Sequence, residues 1–266
     1  MTAPFKLVPV DSSILSSYDN LGKTGGPRNS LKILQTLGKM GYVHPEVADP
    51  LLKLSVEVSK AGGDFRVTEC HRNFQTQYDA RQKYDNWVNA GKPKPGSSLW
   101  NAATMKNSFV ALPGRSGHNA GRSIDIHVGM LNFPVPSNKQ LDRFWEIAKP
   151  LGWTPVIGIP DEGASESWHF DYWGELQPFL NRAGYEQAAL CGAILVGHGG
   201  FAGYEAELQA LLCRAGYSIG KIDGVIGGLT IAAVSKFLGC DEASAKFAIS
   251  SKDKSLIDKL VLAPVR

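Results

Sequence analysis

Apolar residues in PEVADPLLKLSVEVSKAG (45–62) recur at steps of three and four, which lines them up on one face of a helix. The same period runs through NSLKILQTLGKMG (29–41), so residues 28–61 read as helices. FRVTE (65–69) switches to a period of two, a short strand, and FQTQYDARQKYDNWVNAG (74–91) returns to helix. RSIDIHV (122–128) and SWHFDYW (167–173) alternate as strands, whereas SNKQLDRFWEIAKPLG (137–152) reads as a helix opened by a cap at Ser137. GKPKPGSSLWNAATMKNSFVALPG (91–114) is rich in Gly, Pro and Ser, and a loop that long inside a compact domain is usually functional or mobile. Strands and helices mix without a regular βαβ rhythm. The predicted class is α+β, a small antiparallel sheet with flanking helices.

LCGAILVGHGGFAG (190–203) is rich in glycine and free of charge, and it marks a seam. The expected organisation is one domain over 1–185, a linker over 186–202 and a small domain over 203–266. In the last of these, YEAELQALLCRAGY, IAAVSKFLG and DKSLIDKLVL carry helical periods around the glycine-rich turn SIGKIDGVIGGLT, which predicts an all-α three-helix unit.

Composition excludes several classes. The hydrophobic share of 43% and charged share of 20% belong to a folded globular chain. A net charge of +3, with lysines scattered and not interleaved with stacking aromatics, argues against nucleic acid while suiting an acidic polymer. Cys70, Cys191, Cys213 and Cys240 form no C-x-x-C pair, so buried free thiols are expected. No apolar stretch is long enough for a membrane span. The N-terminus MTAPFKLVPVDSS has no basic start followed by an apolar run, so the chain reads as made in the cytoplasm without a secretory leader. A monomer is expected.

Candidate chemistry concentrates in SGHNAGRSIDIH (116–127) and ESWHFDYW (166–173). His118 sits among small residues that let the backbone turn closely around whatever the imidazole holds. Strand alternation puts Ser123, Asp125 and His127 on one face, with Ile124 and Ile126 on the other. His169 supplies a further imidazole, and zinc accepts nitrogen and carboxylate ligands, three from the protein in a catalytic site. On a straight strand Glu166 and His169 would point to opposite faces, so a bend near Ser167 is needed to bring Glu166 round as a proton acceptor. His127 is left as a neighbour of the metal or an alternative ligand, and Asp171 as a structural or supporting group.

PGRSGHNAGRSIDIH followed by ESWH resembles the zinc-dependent D-alanyl-D-alanine carboxypeptidase and L-alanyl-D-glutamate endopeptidase family of cell-wall peptidases, in the superfamily of lysostaphin-type enzymes and hedgehog signalling domains. The pattern S-x-H-x-x-G-x-x-x-D, then E-x-[WH]-H, is filled by Ser116, His118, Gly121 and Asp125, then Glu166, Trp168 and His169. The resemblance implies that His118, Asp125 and His169 hold Zn²⁺ and that Glu166 is the general base. CHRNFQTQ is similar to the family's G-Y-R-S-x-x-x-Q, with Arg72 and Gln77 in the arginine and glutamine positions. Cys70 and His71 replace the usual Gly-Tyr, and Asn73 replaces the serine. A guanidinium at Arg72 suits a substrate carboxylate or the scissile carbonyl, Ser116 suits a hydrogen bond to the same substrate, and the resemblance implies that Gln77 binds substrate as well. The tail resembles a peptidoglycan-binding domain through Leu212, Gly216, Tyr217, Asp223, Gly224, Gly227, Thr230, Ala233, Val234 and Phe237.

Together these imply a peptidoglycan hydrolase held on the wall by its tail. An endolysin-type L-alanyl-D-glutamate endopeptidase is the first expectation, and a D-alanyl-D-alanine carboxypeptidase or D,D-endopeptidase is the alternative. A non-catalytic zinc protein that binds cell wall is a rival, but it has no use for a base at Glu166. A serine hydrolase built on Ser116, His118 and Asp125 lacks the G-x-S-x-G elbow.

Overall fold

The computed structural model describes residues 5–10, 41–197 and 203–266. The helix expected over 29–41 lies outside these residues except for Gly41. The chain divides into two compact units, one drawn from 6–72 and 121–174, the other from 1–5, 73–120 and 175–266. Among the described residues the helices are α1 (Pro45–Lys60), α2 (Phe74–Asn89), α3 (Gln140–Ala148), α4 (Gln177–Ala183) and α5 (Tyr185–Leu195). Four more follow: α6 (Tyr204–Arg214), α7 (Gly228–Leu238), α8 (Glu242–Ser250) and α9 (Lys254–Val261).

In the first unit, β1 (Val8–Pro9) and β2 (Tyr42–Val43) form a small antiparallel ribbon. β3 (Val67–Glu69), β4 (Ser123–Ile126), β5 (Thr154–Pro155) and β6 (His169–Asp171) form an antiparallel sheet in the order β3-β4-β6-β5. His44 caps α1 by accepting the Glu46 amide on Nδ1 at 3.2 Å, and Pro45 at the first position has no N–H to leave unpaired. The apolar stripe of α1, Val47, Leu51, Leu54 and Val58, is buried. It shares one core with Leu141, Phe144 and Ala148 of α3 and with Val67, Ile124, Ile126 and Phe170 of the sheet. Phe144 stacks on Phe65 at 5.9 Å between centroids and meets Phe170 edge-on at 4.9 Å. With Ile124 and Phe170 committed to that core, alternation turns Ser123 and Asp125 of β4, and His169 and Asp171 of β6, to the opposite face.

The helix expected over 137–152 is shorter. A 3₁₀ turn at Ser137–Lys139 precedes α3, and no side chain caps the helix, so Ser137 does not play the predicted part. A second 3₁₀ turn containing Pro150 follows, and Gly152, at φ +89, ends it. Both strands flanking the centre are also shorter than their alternation suggested, and His127 lies past the end of β4 at the head of another 3₁₀ turn.

In the second unit, the loop over 91–114 is strapped along α2. Gln77 donates to Ala111 O at 2.8 Å, Arg81 to Val110 O at 2.8 Å, Asn86 to Thr104 O at 3.1 Å and Trp87 to Pro93 O at 3.0 Å. Much of the stretch expected as a linker is α5, in which Ala188 through Leu195 are all buried. A segment apolar on every side is a helix enclosed by its neighbours, and here Cys191 Sγ reaches Ala210 O of α6 at 3.4 Å. Residues 203–266 are helical throughout their regular elements, with four helices where three were predicted. The addition is α8, capped by Asp241, whose carboxylate accepts from Ser244 N at 2.7 Å. Cys70, Cys191 and Cys213 are buried, and Cys240 is half-buried.

Candidate metal centre

The register of β4 on β6 sets out most of the polar face. Asp125 pairs with His169 and Ser123 with Asp171, positions whose side chains stand side by side on one face of a sheet. His169 Nδ1 lies 3.1 Å from Asp125 Oδ1, and its Nε2 lies 3.0 Å from Asp171 Oδ1. Ser123 Oγ donates to the same Asp171 oxygen. Burial opposes a charge on His169, but the Asp171 charge, the hydrogen bonds to Asp125 and Asp171 and the Asp125 charge prevail. Its pKa rises to about 10.

His118 is presented by a tight turn. Ser116 Oγ accepts from His118 N at 3.3 Å, and Ser116 O accepts from Asn119 N at 2.9 Å. Asn119 Oδ1 accepts from Gly114 N at 3.0 Å, and the Tyr185 hydroxyl accepts from Gly117 N at 3.3 Å. Gly192 of α5 lies so close behind this turn that a Cβ there would stand 2.6 Å from Ala120 Cβ. On the far side of the turn, Gly121 takes φ +67 and its carbonyl accepts from His44 N at 2.8 Å.

His118, Asp125 and His169 each offer one ligand atom within 4.8 Å of the others. Two imidazole nitrogens and one carboxylate oxygen make a donor set that zinc takes in three-ligand catalytic sites. Bonds of about 2.0–2.1 Å in a tetrahedral site put neighbouring ligand atoms roughly 3.3 Å apart, close to the 3.1 Å between Asp125 and His169. The residues therefore fit such an ion. His127 stands outside this group.

Glu166 occupies the bend that the strand pattern required. Its φ is +69, a left-handed backbone that a residue with a Cβ adopts only under constraint, and its carbonyl accepts from His169 N at 3.1 Å. Arg72 is gripped along its Nε–Nη2 edge by the Glu69 carboxylate, Nε to Oε1 at 2.8 Å, with Nη2 on Oε2. Burial lowers the Arg72 pKa, but that pair, followed by the charges of Asp125 and Glu166, raises it overall. Arg72 is thus electrostatically coupled to one residue of the metal group and to the proposed base. Gln77 is wholly buried and braces Ala111, so its observed work is holding the loop. Sequence reasoning missed Glu69, Asn119, Tyr185 and Gly192. Glu69 alone left a sequence clue, an acid three positions before the candidate arginine.

Residues 40–175 match the VanY family, D-alanyl-D-alanine carboxypeptidase, over just over half of the chain. The chain belongs to this family. The VanY region spans Arg72, His118, Asp125, Glu166 and His169, and it makes the protein a peptidase of the D-alanyl-D-alanine carboxypeptidase type, with which a peptidoglycan substrate is consistent. No curated protein matches the chain. No helix among the described residues is long and apolar enough to cross a membrane.

Proposed function

We propose that the protein is a zinc-dependent D-alanyl-D-alanine carboxypeptidase that trims the terminal D-alanine from cell-wall stem peptides. The observation that carries this reading is the VanY match over the very residues that gather as a His-Asp-His group. The expected L-alanyl-D-glutamate endopeptidase activity draws no support from that match, which favours the carboxypeptidase alternative. His118, Asp125 and His169 would hold the ion. Bound there, zinc lowers the pKa of a water to about 7 and polarises a carbonyl. Glu166 takes the proton of the attacking water and returns it to the departing D-alanine amine. Arg72, fixed by Glu69, meets the substrate's terminal carboxylate or the oxygen on which negative charge develops. Ser116 holds the His118 turn and borders the substrate. The helices over 203–266 serve as a wall anchor, which would hold the peptidase near its polymer at an effective concentration up to about millimolar.

The test is digestion of a stem pentapeptide ending in D-alanyl-D-alanine, read by mass spectrometry. Loss of one D-alanine, abolished by chelator and by Glu166→Gln while zinc stays bound, is the expected result. New D-glutamate amino termini would replace this reading with the endopeptidase. Undiminished turnover in Glu166→Gln would remove Glu166 as the base.

A further inference from the structure

We propose that Asp171, supported by Ser123, is a positioning residue that fixes the ring orientation and tautomer of His169, so that Nδ1 is the nitrogen offered to the metal. This rests on the zinc reading above. Three observations carry it. First, the two ring nitrogens face different carboxylates: Nδ1 lies 3.1 Å from Asp125, a member of the metal group, and Nε2 lies 3.0 Å from Asp171, which is outside it. Second, Asp171 is 2% exposed, so its carboxylate is sheltered from water, and it accepts from Ser123 Oγ as well as from His169. Third, the arrangement is built by strand register and not by a mobile side chain. Ser123 sits opposite Asp171 and Asp125 opposite His169 in the β4–β6 ladder, with Phe170 anchored in the core between the two β6 residues.

A neutral imidazole has one N–H and one bare nitrogen. An acceptor on Nε2 keeps the hydrogen there and leaves the Nδ1 lone pair for a cation, and the buried carboxylate makes that nitrogen a better donor. Without Asp171 the ring could rotate or change tautomer, and it would meet Asp125 and the ion in a mixture of states. Ser123 acts one step further back, since its hydroxyl holds the Asp171 carboxylate towards the ring.

The test measures zinc affinity by competition with a chromogenic chelator, for wild type, Asp171→Asn, Asp171→Leu and Ser123→Ala, beside the thermal midpoint of each metal-free protein. Wild type should bind one zinc per chain and His118→Ala should not, and failure of that pair overturns the zinc reading itself. With zinc bound by wild type, Asp171→Leu should weaken it by about 10- to 100-fold, and Asp171→Asn, which keeps an acceptor but not the charge, by less. Ser123→Ala should have the smallest effect. Wild-type affinity in a folded Asp171→Leu protein overturns the proposal. Wild type alone supplies a second measurement that does not depend on variants folding: ¹H–¹⁵N spectra of the zinc-loaded protein should show His169 with its hydrogen on Nε2. A hydrogen on Nδ1 overturns the proposal.

Discussion

Gly121→Ala tests how closely the backbone at Gly121 packs on the residue that caps α1. At φ +67 a side chain is strained by roughly 1–2 kcal/mol in any surroundings. The added Cβ would also stand 2.7 Å from Leu7 Cδ2 and 2.9 Å from the backbone nitrogen of His44. The leucine tip can swing aside. The nitrogen cannot, because it donates to the carbonyl of Gly121 itself at 2.8 Å and belongs to the residue that caps α1. Forced overpacking of this kind adds typically about 1–3 kcal/mol, for a total of about 2–5 kcal/mol. Gly62→Ala is the matched control in the same unit, with φ +78 but its nearest neighbour, Pro134 Cδ, at 3.3 Å, so that it carries little beyond the conformational part. Urea unfolding of both variants in chelator, followed by circular dichroism, should place Gly121→Ala below Gly62→Ala by about 1–3 kcal/mol. Equal losses in the two variants would refute the claim that the His44 backbone blocks this position.

The stretch that sequence reading took for a linker gives a second prediction. Gly192→Ala, a change that favours a helix by about 1 kcal/mol in open surroundings, should here destabilise the protein and weaken zinc binding, because its Cβ meets Ala120 Cβ at 2.6 Å. Adding Ala120→Gly should restore part of both, and simple additivity in that double-mutant cycle would argue against the contact. pH supplies a third. His169 in the metal-free protein has its pKa raised from 6.5 to about 10, so it binds a proton more tightly folded than unfolded. The stabilisation is complete below about 6.5 and is lost as pH rises through about 10. Urea midpoints in chelator should therefore fall between pH 7 and pH 9 more in wild type than in His169→Gln. Parallel profiles would contradict the assigned environment.

Part of the candidate metal group was legible in the chain because two of its three members are set by local spacing. His118 and Asp125 flank one turn, and alternation on β4 and β6 already placed Asp125 and His169 on polar faces. The bend at Glu166 followed from the same alternation, since a straight strand would have turned that carboxylate away. Gln77 was another matter. Its position in a motif suggested a substrate contact, but its burial and its bond to Ala111 come from how the 91–114 loop lies on α2. Likewise the charge-free run around Cys191 has the composition of a linker and the position of a core helix, and only its neighbours distinguish the two.

The sequence by itself determined the periods of the strands and helices and the residue types that could donate to a metal, because periods and residue types are read segment by segment. Tertiary structure alone decided that His127 stands outside the metal group, that Asp171 holds the far nitrogen of His169, and that Glu69 grips Arg72. Those outcomes depend on the register between strands distant in sequence and on which side chains the folded core leaves no room to move. Neither is encoded in any one segment.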